Sequence, residues 1–133
     1  MSAHEPWANE PEGGEGDLDG LHWEIRRCVF RGGSWHWCGY VDLPASHPLA
    51  GLDLAWDAHD RTSVHGGITY QEPREGGLVR IGFDCAHSGD RRAMDSHESP
   101  SDAGCEFRTY AYVHREVVDL VGQCVAAAKG GAQ

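Results

Sequence analysis

The chain has 133 residues and a formal charge of −10, from 21 acidic against 11 basic side chains. That length accommodates one domain with one core. The charge disfavours bare nucleic acid and anionic membranes and favours basic partner surfaces, and no apolar run approaches the roughly 20 residues that span a bilayer.

Six of the acids (Glu5, Glu10, Glu12, Glu15, Asp17, Asp19) fall in the first twenty residues, which hold no Lys or Arg. Residues 1–20 are mostly Gly, Glu, Pro and Asp, too polar to offset their ordering entropy by burial. They are expected to form a disordered acidic tail ahead of a single α+β domain over 21–129. The N-terminus lacks the apolar core of a signal peptide. The five cysteines (28, 38, 85, 105, 124) are odd in number and form no CxxC. Reduced thiols in a soluble, cytoplasmic protein are therefore expected.

Leu21–Arg31 begins with Leu21, Trp23 and Ile25 alternating with His22, Glu24 and Arg26, the period of a half-buried strand. Gly32-Gly33 supplies a turn. The aromatic run Ser34–Leu43 reads as the return strand of a hairpin. Pro44 and Pro48 break the pattern, and Leu49–Asp60 reads as a loop with a short strand. Val64–Tyr70 and Leu78–Cys85 are the next predicted pair, joined by the polar QEPREGG segment. Gly66, Gly67 and Gly82 inside these runs imply that something packs closely against them. Residues 86–104 form a long polar loop. Tyr110, Val113, Val117, Leu120, Val121, Cys124 and Ala128 recur at three- and four-residue steps, so a helix from a Thr109 N-cap to about Ala128 is predicted. Arg115 and Asp119 are spaced to pair on its wet side. The expected fold is α+β, with an antiparallel sheet of four to five strands packed by one C-terminal helix.

Chemistry-bearing residues concentrate at the ends of the central pair. His65, Asp84, His87 and Asp90 are imidazole and carboxylate donors of the kind a divalent metal such as Zn or Mn takes. Antiparallel pairing of 64–70 with 78–85 would bring His65 to the Asp84-Cys85-Ala86-His87 segment. Cys85 could serve as a soft ligand, or as a nucleophile with His87 as its base. The Gly66 and Gly67 amides could face an anion. The same residues also suit a polar network that ties the long loop to the sheet, with no cofactor at all. These readings stand side by side. His36 and His22 sit among strand aromatics, His47 is expected to be solvated, and His114 is expected to be exposed beside the helix stripe.

The boxes His65-Gly66-Gly67-Ile68-Thr69-Tyr70 and Gly82-Phe83-Asp84-Cys85-Ala86-His87-Ser88-Gly89-Asp90 resemble those of a group of small bacteriophage and prophage proteins. Gly39-Tyr40-Val41 with Leu43-Pro44, His47-Pro48-Leu49 with Gly51, and Tyr112-Val113 with Glu116-Val117 extend the resemblance over about residues 39 to 125. The acidic N-terminus and the polar 91–105 loop depart from it. No catalytic roles carry over. The resemblance implies a mobile-element accessory protein and, by analogy, a counter-defence factor of the anti-CRISPR kind. Such a protein would bind a host defence protein, at a basic nucleic-acid-binding groove, through acidic and aromatic surface. The alternative is a small metal-dependent hydrolase in which His65, Asp84, His87 and Asp90 hold the ion and a bound water attacks.

Overall fold

The computed structural model describes residues 9–29, 33–51, 63–65, 67–85 and 107–130. They form five strands, β1 (Gly13–Leu18), β2 (Leu21–Val29), β3 (Trp35–Pro44), β4 (Tyr70–Arg74) and β5 (Leu78–Asp84), followed by one helix, α1 (Tyr110–Gly130). The strands make a single sheet in the order β1-β2-β3-β5-β4, with every neighbouring pair antiparallel. This is the expected α+β arrangement of an antiparallel sheet with one C-terminal helix. No helix among the described residues is long and apolar enough to cross a membrane.

β3 is the central strand, and Trp35–Leu43 are buried without a break. Its Trp35, Trp37, Val41 and Leu43 join Ile25, Ile81 and Phe83 in a core that α1 closes with Val113, Val117, Leu120, Val121 and Cys124. Each of these side chains removes about 1.5–3 kcal/mol worth of apolar surface from water. Helix and sheet approach closely at Gly39, where an added Cβ would lie 2.7 Å from both the Phe83 ring and Val117 Cγ2. The helix starts as its sequence predicts: the Tyr112 amide donates to Thr109 Oγ1 at 3.2 Å. Its buried stripe ends at Cys124, and Ala128 is exposed. The anticipated Arg115–Asp119 pair is not among the contacts of the described residues; Asp119 instead accepts from Gln123 Nε2 at 3.3 Å.

Residues 9–20 are not a free tail. β1 pairs with β2 from Gly13↔Arg26 to Leu18↔Leu21. Asp19 and Gly20 connect the strands with φ of 52° and 85°, the two positive values that a two-residue hairpin turn requires. Ahead of β1, Arg27 Nη2 donates to the carbonyls of Glu10 at 3.0 Å and Pro11 at 2.7 Å. The Arg27 guanidinium also lies 4.0 Å from the Trp35 ring centroid. Glu10 Oε2 accepts from the buried Trp37 indole at 3.0 Å and from the Tyr110 amide at 2.5 Å. The acidic segment therefore caps the first turn of α1, where a carboxylate is favoured by the helix dipole.

The second predicted hairpin is displaced. β4 covers residues 70–74 rather than 64–70, and its register runs from Tyr70↔Gly82 to Arg74↔Leu78. Most of the QEPREGG segment is thus strand, and Glu75-Gly76-Gly77 is the turn, with φ of 80° and 74° at the two glycines. Pro73 is tolerated because β4 lies at the sheet edge. The short strand anticipated within 49–60 falls mostly outside the described residues.

His47 is not solvated. Its Nδ1 accepts the Leu49 amide at 2.9 Å, so the neutral ring carries its proton on Nε2, which donates to the Cys124 carbonyl at 2.8 Å. His114 is half-buried, set edge-on to Trp23 with ring centroids 5.2 Å apart. Cys28 and Cys38 form a disulfide, which corrects the expectation of reduced thiols at those two positions. The β2–β3 register sets Cys28 opposite His36 and Cys38 opposite Arg26, so the sulfurs are diagonal neighbours on one face. Cys85 and Cys124 are buried thiols outside that bridge.

Candidate functional site

Strand alternation divides the sheet. One face packs against α1; the other carries the even-numbered residues of β2, β3 and β5. The cross-strand row Asp17–His22–Asp42–Arg80–Glu72 runs the full width of this face opposite α1, with Glu15–Glu24–Tyr40–Gly82–Tyr70 as the next row. Beyond it comes Arg26–Cys38–Asp84, then Cys28–His36.

Arg80 organises these rows. It is 3% exposed, and it is held by two bonds to one carboxylate: Nε to Asp42 Oδ1 at 2.8 Å and Nη2 to Asp42 Oδ2 at 3.1 Å. A third bond runs from Nη1 to Glu24 Oε1 at 2.5 Å. The Asp42 hydrogen bond, with help from Glu24, raises the guanidinium pKa further above its ordinary range. Its charge is spent inside this pair. The guanidinium also sits 5.2 Å from the Tyr40 ring centroid. That ring covers Gly82, where an added Cβ would meet Tyr40 Cδ1 at 2.5 Å. The close approach implied by Gly82 is therefore made by Tyr40.

Among the described residues, two concavities open on this face. One of about 450 Å³ is lined by Asp42, Glu72, Arg74 and Glu75 near the β4–β5 turn. The other, about 410 Å³, is lined by Cys28, His36, Cys38, Tyr40, Tyr70 and Asp84. Tyr70, on the wall of the second, donates its hydroxyl to Glu72, on the wall of the first; that bond raises the Tyr70 pKa. At the β1 end, His22 Nδ1 lies 3.0 Å from Asp17 Oδ1 and Nε2 lies 3.4 Å from Glu15 Oε2. The hydrogen bond to Asp17 raises the His22 pKa.

Among the described residues nominated from sequence, His65 and Asp84 bond to different parts of the chain. Asp84 lies on the face opposite α1, across from Cys38, and accepts from Thr69 Oγ1 at 2.9 Å. His65 engages the helix instead: its amide donates to Glu116 Oε1 at 2.7 Å, and its Nδ1 lies 2.8 Å from the Tyr112 hydroxyl. Ser63 is tied to Gln123 farther along α1, so this loop runs along one edge of the helix. The predicted convergence of His65 on Asp84 required strand pairing at residue 65, and the ladder begins only at Tyr70. Gly67 donates its amide to the Val64 carbonyl at 2.8 Å and has φ of 80°; it serves a turn rather than an anion. Cys85 is 2% exposed within the helix-side core, and its amide extends the β5–β3 ladder to the Trp37 carbonyl at 3.0 Å. Its thiol thus lies on the α1 side of the sheet rather than on the face of Asp84, and a thiol buried in an apolar core is a poor nucleophile. Gly66, His87 and Asp90 lie outside the described residues.

Sequence reasoning passed over Cys28, His36, Cys38 and the Arg80–Asp42–Glu24 cluster. The observed register sets Cys28 opposite His36, with Cys38 two residues on and on the same face. A two-residue turn at Gly32-Gly33 would instead have paired Cys28 with Trp37, so the grouping was not readable from the predicted hairpin. Among the described residues, these three are the group of His, Cys, Asp and Glu donors close enough to share an ion. No protein-family model, curated protein or solved structure matches the chain.

Proposed function

We propose that this chain is a binding protein that docks the acidic sheet face opposite α1 on a basic protein surface. In keeping with the resemblance of its HGGITY and GFDCAHSGD boxes, we take it to be a phage or prophage accessory factor. Its target would be the nucleic-acid-binding groove of a host defence protein, in the host cytoplasm. The observation that carries the reading is the concavity beside the β4–β5 turn. Asp42, Glu72 and Glu75 line it with Arg74 as the one cation of the four. Asp42 and Arg80 neutralise each other there, with Glu24 as a second acid on Arg80, so Glu72 and Glu75 are the carboxylates of this concavity left for a partner. Exposed Glu15 and Asp17 extend the negative strip toward β1. A guanidinium or ammonium from a partner would find Glu72 on β4 and Glu75 in the turn that follows it. Complementary fields of this kind raise association rate and specificity.

The test uses the immobilised full chain against lysate of a bacterial host, alongside the double variant Glu72→Lys/Glu75→Lys. The wild type should retain a basic nucleic-acid-binding protein, release it as salt rises, and lose it to added nucleic acid. The variant should retain little of it. Equal capture by both proteins, or capture indifferent to salt, would refute the reading.

A further inference from the structure

We propose that Cys28, His36 and Cys38 form a Zn²⁺-class metal site that is assembled when the chain is reduced and replaced by the Cys28–Cys38 disulfide when it is oxidised. This inference is independent of the docking reading above.

Three observations carry it. The hairpin register puts Cys28 directly opposite His36, with Cys38 two residues farther along β3 on the same face. One donor atom from each lies within 4.8 Å of the other two. Around a tetrahedral zinc with bonds of about 2.3 Å to sulfur and 2.0–2.1 Å to imidazole nitrogen, neighbouring donors stand about 3.5–3.8 Å apart. Small side-chain rotations cover the difference, because the strands already hold the three Cβ atoms. The site is also shielded: His36 is 6% and Cys38 4% exposed.

Two thiolates and an imidazole are the soft and borderline donors that select zinc over calcium or magnesium. The fourth position faces the concavity of about 410 Å³, on whose wall stands Asp84, the cross-strand neighbour of Cys38. An oxygen donor, from that carboxylate or from water, would complete the shell.

The two states exclude each other by electron count. A dithiol reductant passes two electrons and two protons to the disulfide, breaking the S–S bond and leaving two thiols. Zn²⁺ then displaces both thiol protons as the two Zn–S bonds form. In reverse, hydrogen peroxide takes two electrons from the bound thiolates; with two protons it becomes two waters, the S–S bond re-forms and Zn²⁺ is released. Either state ties β2 to β3 at the same place.

The test begins with the full chain, reduced and kept anaerobic, titrated with Co²⁺ and then Zn²⁺. The expected result is one equivalent of Co²⁺ with thiolate charge-transfer absorption and the visible bands of a tetrahedral ion, bleached by Zn²⁺. The oxidised chain should show neither. Cys28→Ser and Cys38→Ser should each abolish the thiolate band of the wild type, His36→Asn should weaken binding, and Cys105→Ser should leave it unchanged. A second measurement avoids variants: bound Zn²⁺ should protect Cys28 and Cys38 of the reduced wild type from alkylation, and peroxide should release the ion. Absence of the thiolate band in the reduced wild type overturns the proposal. So does protection that falls on other cysteines, or metal binding that persists in the oxidised chain.

Discussion

Arg80 shows how one side chain fixes the character of a surface. Three charge-assisted bonds hold it between Asp42 and Glu24 at 4% side-chain exposure. Its removal would leave two carboxylates partly buried without their cation, a change that costs about 3–5 kcal/mol in comparable settings. Arg80→Ala should therefore lower the urea midpoint sharply, and Arg80→Lys should recover only part of the loss, since an ammonium cannot reproduce the two parallel bonds to Asp42. A midpoint unmoved by Arg80→Ala would mean that water already satisfies both acids. His22 makes a smaller, pH-dependent contribution. Asp17 raises its folded pKa above the ordinary value of about 6.5. The stabilisation is thus fully present below about pH 6.5 and fades as pH climbs through the raised folded value. Its size is limited by solvent exposure of the partners. Urea unfolding of wild type and Asp17→Asn should differ at pH 5.5 and converge at pH 9; a gap that widens with pH would contradict this.

At the scale of elements, the capping of α1 from a distant stretch stands out. Glu10 satisfies both the buried indole of Trp37 and the first amide of the helix, 100 residues away in sequence. Glu10→Ala would orphan the indole and remove the favourable charge at the helix start, for a loss of about 2 kcal/mol. Glu10→Gln keeps the acceptor and should lose less; chemical unfolding of the two variants ranks them. The elements legible in the sequence were those with strong periodicity. β2, β3 and β5 carried apolar or aromatic residues at period two, and α1 carried an uninterrupted stripe, so tertiary packing and local pattern agreed. β1 was obscured because Gly13–Leu18 has few apolar residues and draws its order from the ladder to β2 and from the Arg27 anchor at Glu10 and Pro11. The Asp19-Gly20 pair did mark its turn, but the acidic composition around it pointed elsewhere. β4 was misplaced for a related reason. The apolar VHGGITY run looked more strand-like than YQEPR, yet an edge strand has one side in water and tolerates both charge and Pro73. Because the paired segment moved by several residues, His65 was carried to the helix and away from Asp84. Of the face opposite α1, Asp84 was legible in the sequence. Its neighbours across the sheet, Cys28, His36 and Cys38, depended on a register that a two-residue Gly32-Gly33 turn does not produce.

For the whole molecule, the sheet has two outer margins, β1 and β4. Glu15 and Asp17 project from the first margin, and Glu72 and Arg74 from the second, with Pro73 breaking its run of backbone donors. Charge and proline at such margins discourage the addition of a strand from another chain. Deleting residues 1–18 would strip away the first of these guards. The backbone of β2 would then be open along its length beside Leu21, Trp23 and Ile25, and newly unpaired amides would lie next to greasy side chains. Size-exclusion chromatography of the shortened chain should show concentration-dependent self-association, while the full chain elutes at one position. The acidic beginning of this protein would then be what keeps its copies apart.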